Sequence, residues 1–194
     1  MITDHDRSGW LGASDVQYVI GNWKTKTWEK WWMTKLGLHK GRMDNEYTLA
    51  GTNWEHKILD SLGMPNMEKD RQILLPEILL RVNLDGNTPG RIYECKTYKV
   101  ESDTGSAKQF KAGVVPAAYR NQVQVQMYAT KIFGADVVAY GLVKEDYDNY
   151  FRTVDPGRRK LIPVEYDPKW IENVYLPKHR TLCEALKRKG WPNV

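Results

Sequence analysis

Within the run Arg91-Ile92-Tyr93-Glu94-Cys95-Lys96-Thr97, an acid and an amine stand two residues apart. In a β-strand, side chains alternate between faces, so Glu94 and Lys96 share one face and Cys95 points to the other, toward the core. Asp85 ends the preceding apolar run and can close the group. Two carboxylates beside a lysine suit metal-assisted phosphodiester hydrolysis. The carboxylates hold hard Mg²⁺ through oxygen. The metal polarises the phosphoryl oxygen and acidifies a bound water, and a second ion about 3.5–4 Å away would stabilise the leaving oxygen. The lysine can orient or deprotonate that water and screen transition-state charge. The E-x-K triplet alone is not specific: average composition gives on the order of one per chain of this length. Glu55-His56-Lys57 is a second copy. It falls in a predicted helix, where positions two apart face differently, so it is not the same device. The plain alternative for Glu94 and Lys96 is a cross-strand ion pair on a solvated face.

The elements that must position these residues are partly readable. Ser14-Asp15-Val16-Gln17 has the form of a capping box, which predicts a short helix from Ser14 to near Gly21. Further helices are predicted over Thr27–Leu36 and Leu49–Leu62, the latter closed by Gly63 and Pro65. Ile73–Leu75 and Ile78–Leu84 are short apolar runs, followed by a turn at Asp85-Gly86-Asn87. Arg91–Tyr98 is then the partner strand of a hairpin. Lys99–Val115 has no period and reads as a long mobile loop. Pro116 opens a helix to about Phe133, Ala135–Leu142 is strand-like, and short strands are expected near Tyr150–Val154 and Leu161–Val164. Asp167-Pro168 caps a C-terminal helix over about 168–189, which Pro177 should kink. This order predicts an α/β fold with a mixed central sheet, helices on both sides and the site at the sheet's edge.

The 194 residues fit a single domain spanning 1–194, large enough to fold without a metal or disulfide staple. Net charge is +5, compatible with a polyanionic partner and equally with a solvated basic surface. Two distant cysteines, Cys95 and Cys183, argue against a zinc ribbon or iron–sulfur cluster and for a reducing compartment. No apolar run is long enough to span a membrane and no signal peptide is visible, so the expected location is the cytoplasm, of a bacterial host if the chain is phage-encoded.

Four blocks, read in order, resemble the YqaJ-like viral recombinase family, the phage lambda-type exonucleases of the PD-(D/E)XK nuclease superfamily. They are Arg7-Ser8-Gly9-Trp10-Leu11-Gly12-Ala13-Ser14-Asp15, Gly51-Thr52-Asn53-Trp54-Glu55, Asp85-Gly86 with Glu94-Cys95-Lys96, and Tyr119-Arg120-Asn121-Gln122-Val123-Gln124 with Met127. They lie within about residues 7–130. Leu84 stands where the superfamily name has Pro, and the segment after Lys96 does not visibly align. The resemblance implies a restriction-endonuclease-like PD-(D/E)XK core. It implies that Asp85, Glu94 and the Cys95 carbonyl bind metal and that Lys96 positions the attacking water. Glu55 would support the metal site, directly or through water, and Gln122 would orient Lys96 or the water. It further implies that Arg7 and Ser14 hold a 5′-terminal phosphate, a role the physics of a capped helix start allows. Read without the resemblance, Glu55 is a solvated helix residue, Gln122 a polar position on an amphipathic helix, Ser14 a simple cap and Arg7 a tail charge.

Trp10, Trp23, Trp28, Trp31 and Trp32 crowd the first 32 residues. Core packing is the expectation for them, with Trp10 the best candidate for stacking on a base at a frayed end. Lys99, Lys108 and Lys111, and the run Arg158-Arg159-Lys160, are candidates for DNA backbone contact. The implied activity is a Mg²⁺-dependent (two ions, Mn²⁺ as a substitute) 5′→3′ exonuclease on linear double-stranded DNA. It would release 5′-mononucleotides and leave a 3′ single strand. Implied partners are duplex DNA ends, two further copies of the chain in a trimeric ring, and a single-strand annealing protein. The rivals are an endonuclease on the same core and a catalytically inactive DNA-binding protein.

Overall fold

A computed structural model describes residues 8–39 and 46–193 of the chain. Strand β1 (Leu11–Gly12) leads through a 3-10 turn (Ala13–Asp15) into α1 (Val16–Ile20). α2 (Lys26–Lys35) and α3 (Glu46–Asp60) follow. β2 (Glu68–Leu75), β3 (Leu80–Thr88) and β4 (Arg91–Lys99) come next, then α4 (Gly105–Lys111), α5 (Ala117–Thr130) and β5 (Gly134–Leu142). The chain ends with α6 (Glu145–Asp148), β6 (Arg159–Glu165), α7 (Pro168–Trp170), a π-helical turn (Ile171–Tyr175) and α8 (Leu176–Lys187). The mixed α/β architecture expected from the sequence is therefore present.

Six strands form one sheet, and its pairing creates a fork. β2 runs antiparallel to β3 from Leu75↔Leu80 to Glu68↔Asn87, covering one side of β3 along almost its whole length. A strand has only two hydrogen-bonding sides, so β1 and β4 must share the other. β1 pairs in parallel at Leu80 and Arg81, and β4 pairs antiparallel only at Gly86, Asn87 and Thr88. Residues 82–85 of β3 lie between them with no strand partner on that side among the described residues. β4 then pairs in parallel with β5 over eight residues, and β5 pairs antiparallel with β6. The site is thus at an interior fork, not at the sheet's edge, because β4 is a central strand.

Each face of the sheet has its own core. Val123, Val125 and Met127 of α5 pack with Ile92, Ala135, Val137 and Ala139, and with Trp28, Trp31 and Trp32 of α2. Ala50, Trp54, Ile58 and Leu59 of α3 cover Tyr93, Cys95, Val138 and Tyr140 on the opposite face. The alternation along β4 is the one the sequence predicts, with Ile92 to α5 and Cys95 to α3. The tryptophans of α2 are core, as expected, and form a contiguous aromatic group in which Trp28 and Trp32 stack at 5.5 Å. Trp23 is half-buried and packs on Trp28.

Four local expectations need correction. The first helical turn does not start at Ser14. Ser14 is exposed, and the Asp15 carboxylate instead accepts the Gly12 N–H at 2.6 Å while bonding Trp31 Nε1 and Lys35 Nζ in the interior. Asp85-Gly86-Asn87 is not a turn but the end of β3, and the chain reverses at Pro89–Gly90. The polar turn-formers there are tolerated because β2 supplies pairing for Gly86 and Asn87. The segment 99–115 is not a mobile loop. It folds into α4, whose Phe110 is fully buried between Tyr98 and Tyr119. Residues 150–154 form no strand; the Tyr150 carbonyl is taken by Lys57 Nζ. The C-terminal helix is disturbed at the π turn immediately before Pro177, whose ring cannot donate to the preceding turn.

His179 on α8 ties this helix to the turn before β3. Its Nε2 donates to the Ile78 carbonyl at 2.9 Å, so Nδ1 accepts from the Tyr175 hydroxyl at 2.9 Å. Burial lowers its pKa from the usual 6.5, against the Ile78 hydrogen bond and the Asp15 charge, which raise it. The unfolded chain binds this proton more readily than the fold. Its contribution is therefore complete above about pH 6.5 and is lost as pH falls below that value. Melting curves from pH 8 to 5 should show a falling stability that is shallower in His179→Gln, which keeps a donor to Ile78 but does not titrate.

Candidate active site

The fork brings Asp85, Glu94, Lys96, Glu55 and Gln122 together. The Asp85 Oδ2 accepts the Cys95 N–H at 2.8 Å, in the stretch where the β3–β4 ladder has already opened. Glu94 is almost fully buried, at 1% exposure. Its Oε1 accepts from Lys96 Nζ and, at 2.6 Å, from Gln122 Nε2. Its Oε2 accepts from Gln126 Nε2 at 2.5 Å. A buried carboxylate is costly unless charge and hydrogen bonds compensate it, and here one ammonium and two amides do so. Lys96 also lies over the Tyr119 ring, 5.4 Å from its centroid.

The electrostatics follow from this crowding. Burial pushes the Asp85 carboxyl well above the usual range, and the Glu94 charge adds to it against the pull of Lys96. Burial likewise raises Glu55, with Lys96 pulling it down and Glu94 pushing it up. Burial acts to lower Lys96, but the charges of Glu94 and then Asp85 outweigh it and hold the ammonium above its usual value. The Cys95 thiol is pushed far up by burial and the nearby Asp85 charge, which makes it an unreactive core side chain.

The donor set fits a hard divalent cation. Oxygen ligands from two carboxylates converge with a single ammonium to balance them, and Asp85 carries its charge only against a strong opposing pressure. Gln126 Oε1, buried beside Glu94, has no hydrogen-bond donor among the described residues. Glu55 extends the acidic region: its carboxylate, a His56 ring nitrogen and the Asp70 carboxylate lie within 4.8 Å of one another. His56 Nε2 already bonds Asp70 at 2.9 Å.

The remaining sequence candidates separate. Arg7 lies outside the described residues. Ser14 and Trp10 sit on either side of β1, exposed and half-buried respectively, and Trp10 belongs to neither core cluster. Lys99 and Lys108 are exposed at the end of β4 and on α4, whereas Lys111 is paired with Asp103 at 2.6 Å. Arg158 is held by Asp146 and Asp155, and Arg159 bonds Ser61. Those two arginines therefore tie the fold together. The residue that sequence reasoning missed is Gln126. The available signal was its spacing: it stands four positions after Gln122 and so shares its helix face. Gln124, by contrast, points away and bonds the Glu165 carbonyl and Asp167 N–H.

The model of the YqaJ-like viral recombinase domain matches residues 4–132. Among solved structures, the chain is similar to an alkaline exonuclease from Laribacter hongkongensis, LHK-Exo (TM-score 0.67, 21% identity, 94% of each chain covered). It is also similar to LHK-Exo in complex with dAMP (0.70, 19%, 93% of this chain and 89% of that one). A phage-related exonuclease from Haemophilus somnus 129PT shares the fold at TM-score 0.63 and 16% identity, covering 93% and 92% of the two chains. No curated protein matches. No described helix is long and apolar enough to cross a membrane.

Proposed function

This chain belongs to the YqaJ-like viral recombinase domain family, and from that premise we propose that it is a Mg²⁺-dependent 5′→3′ exonuclease acting on the ends of linear double-stranded DNA. The observation that carries the reading is the buried Glu94, clamped by Lys96, Gln122 and Gln126 beside Asp85 at the fork.

Asp85, Glu94 and the Cys95 carbonyl would hold Mg²⁺, or Mn²⁺ in its place, with Glu55 in support. When bound, the ion supplies Lewis-acid polarisation of the scissile phosphate and a more acidic water. The protein's own contribution is placement and charge. Lys96, an ammonium beside Glu94, offers N–H donors to the attacking water and to the negative charge that grows on the phosphoryl oxygens. Gln122 fixes the carboxylate edge that Lys96 shares. Ser14, with Arg7, holds the 5′-terminal phosphate, and the exposed Lys99 and Lys108 meet the backbone of the duplex. Lys111 joins them by exchanging Asp103 for a phosphate, and Trp10 stacks on a terminal base. By the same family resemblance the protein works as a trimeric ring of identical subunits, and the 3′ strand it leaves is taken up by a single-strand annealing protein.

The test is cleavage of internally labelled linear duplex with Mg²⁺, its 5′ ends phosphorylated or not, beside a closed circular control. Mononucleotides should appear from phosphorylated linear ends while the circle survives. A nicked circle would instead establish the endonuclease reading, and intact DNA with both Mg²⁺ and Mn²⁺ would remove the catalytic one.

A further inference from the structure

We infer that Gln126 is a positioning residue of the metal site, a strut that holds the two sides of the strand fork at the separation metal binding needs. The inference rests on the metal-nuclease reading above. It starts from an anomaly of burial. Gln126 has no exposed surface, although a glutamine amide placed in an apolar core costs free energy unless it is hydrogen-bonded. Its neighbours Val123, Val125 and Met127 show that this part of α5 is core.

The hydrogen bonds explain why an amide stands there. Gln126 Nε2 donates to Glu94 Oε2 on β4 at 2.5 Å and to the Asn83 carbonyl on β3 at 3.3 Å. Asn83 lies in the stretch of β3 left without a strand partner between β1 and β4. One NH₂ group therefore replaces the ladder where the ladder stops, and it joins the strand of Asp85 to the side chain of Glu94. The Cys95 N–H to Asp85 bond closes the same gap one step further along. Among the described residues Gln122 bonds Glu94 and not β3, so of the two amides it is Gln126 that bridges the two strands.

The acceptor half of the amide points to the same conclusion. Gln126 Oε1 is buried, one amide width from the Nε2 that touches Glu94, and has no donor among the described residues. The donor half serves Glu94 and Asn83, but an acceptor half left unsatisfied in a buried site costs free energy. A hydrated divalent cation held by Asp85 and Glu94 would bring water protons that this acceptor could take. The acceptor half is thus costly to the bare fold and useful to the loaded site.

Full-length wild type, Gln126→Met and Gln126→Glu should be titrated with MgCl₂ or MnCl₂ alone, without DNA, by calorimetry and by melting temperature. The expected result for Gln126→Met is a metal-free melting temperature below wild type, because Glu94 Oε2 and the Asn83 carbonyl lose their donor, and a metal Kd weakened about 10–100-fold. Its kcat on linear duplex should fall with KM for DNA unchanged. Gln126→Glu gives an independent readout: it should melt lower than wild type without metal and be raised more by metal. A metal affinity of Gln126→Met within about twofold of wild type, or an equal metal-induced rise for Gln126→Glu, would overturn the inference while leaving the nuclease reading in place. A wild type that binds neither ion would overturn both.

Discussion

Lys96→Ala should abolish most of the DNA cleavage while leaving a folded protein. Lys96 is the only ammonium within the carboxylate group of the described site, and it bonds Glu94 directly. Loss of a preorganised charge at a developing oxyanion costs about 10²–10³-fold in rate. Glu94 would keep Gln122 and Gln126, so its geometry survives, but it would lose the charge that offsets its burial. Without metal, the variant should therefore be less stable by about 3 kcal/mol, the low end for an orphaned buried ion. With Mg²⁺ much of that loss should disappear, because the cation takes over the balancing of the two acids. Single-turnover rates on linear duplex, paired with melting curves with and without Mg²⁺, separate these effects. A rate within about tenfold of wild type would reduce Lys96 to a structural ion-pair partner.

Asp146→Ala should give a large loss of stability at a distance from the fork. Asp146 has no exposed surface. It accepts from Arg152 Nη1 at 2.9 Å, Arg158 Nη1 at 2.5 Å and the Val143 N–H at 3.0 Å, and its carbonyl receives Trp54 Nε1 at 2.8 Å. The side chain thus ties the 143–158 segment together, and the main-chain carbonyl fixes it to Trp54 of α3, where Tyr147, Tyr150 and Val154 cover the second core. Removing it strands two guanidiniums, although both are partly exposed and can rehydrate, which discounts the penalty. About 3 kcal/mol remains, or roughly 6–12 °C in Tm for a chain of this size. Asp146→Asn, which keeps an acceptor for Val143, should lie between. A shift below about 2 °C would mean that the segment is held by its apolar contacts alone.

The chemistry-bearing residues were legible because strand alternation is a strong local rule. Glu94 and Lys96 on one face, with Cys95 on the other, follow from period two and nothing else. The helices around them were legible through caps and breakers, including Gly63 and Pro65 after α3 and Asp167 at the C-terminal helix. What failed was decided by distant partners. Asp85-Gly86-Asn87 has turn composition, yet β2 pairs with it and keeps it extended. The segment 99–115 lacks a helical period because α4 is only seven residues long, and its burial depends on Phe110 meeting Tyr98 and Tyr119. Gln126 was hidden among the apolar positions of α5, where composition gives no reason to separate a strut from a core residue. The fork itself was invisible, since it arises from three strands competing for the two sides of β3.

The parallel ladder of β4 and β5 joins residues about forty apart in sequence, such as Glu94 and Val137. The hairpin of β3 and β4, by contrast, closes through Pro89 and Gly90. Hairpins close in microseconds, whereas long-range parallel pairing must first overcome the entropy of a large loop. During refolding, Asp85 and Glu94 therefore come near each other early. The helix carrying Gln122 and Gln126 reaches them only when the long crossover docks. Competence for catalysis therefore requires the slow long-range step as well as the fast hairpin.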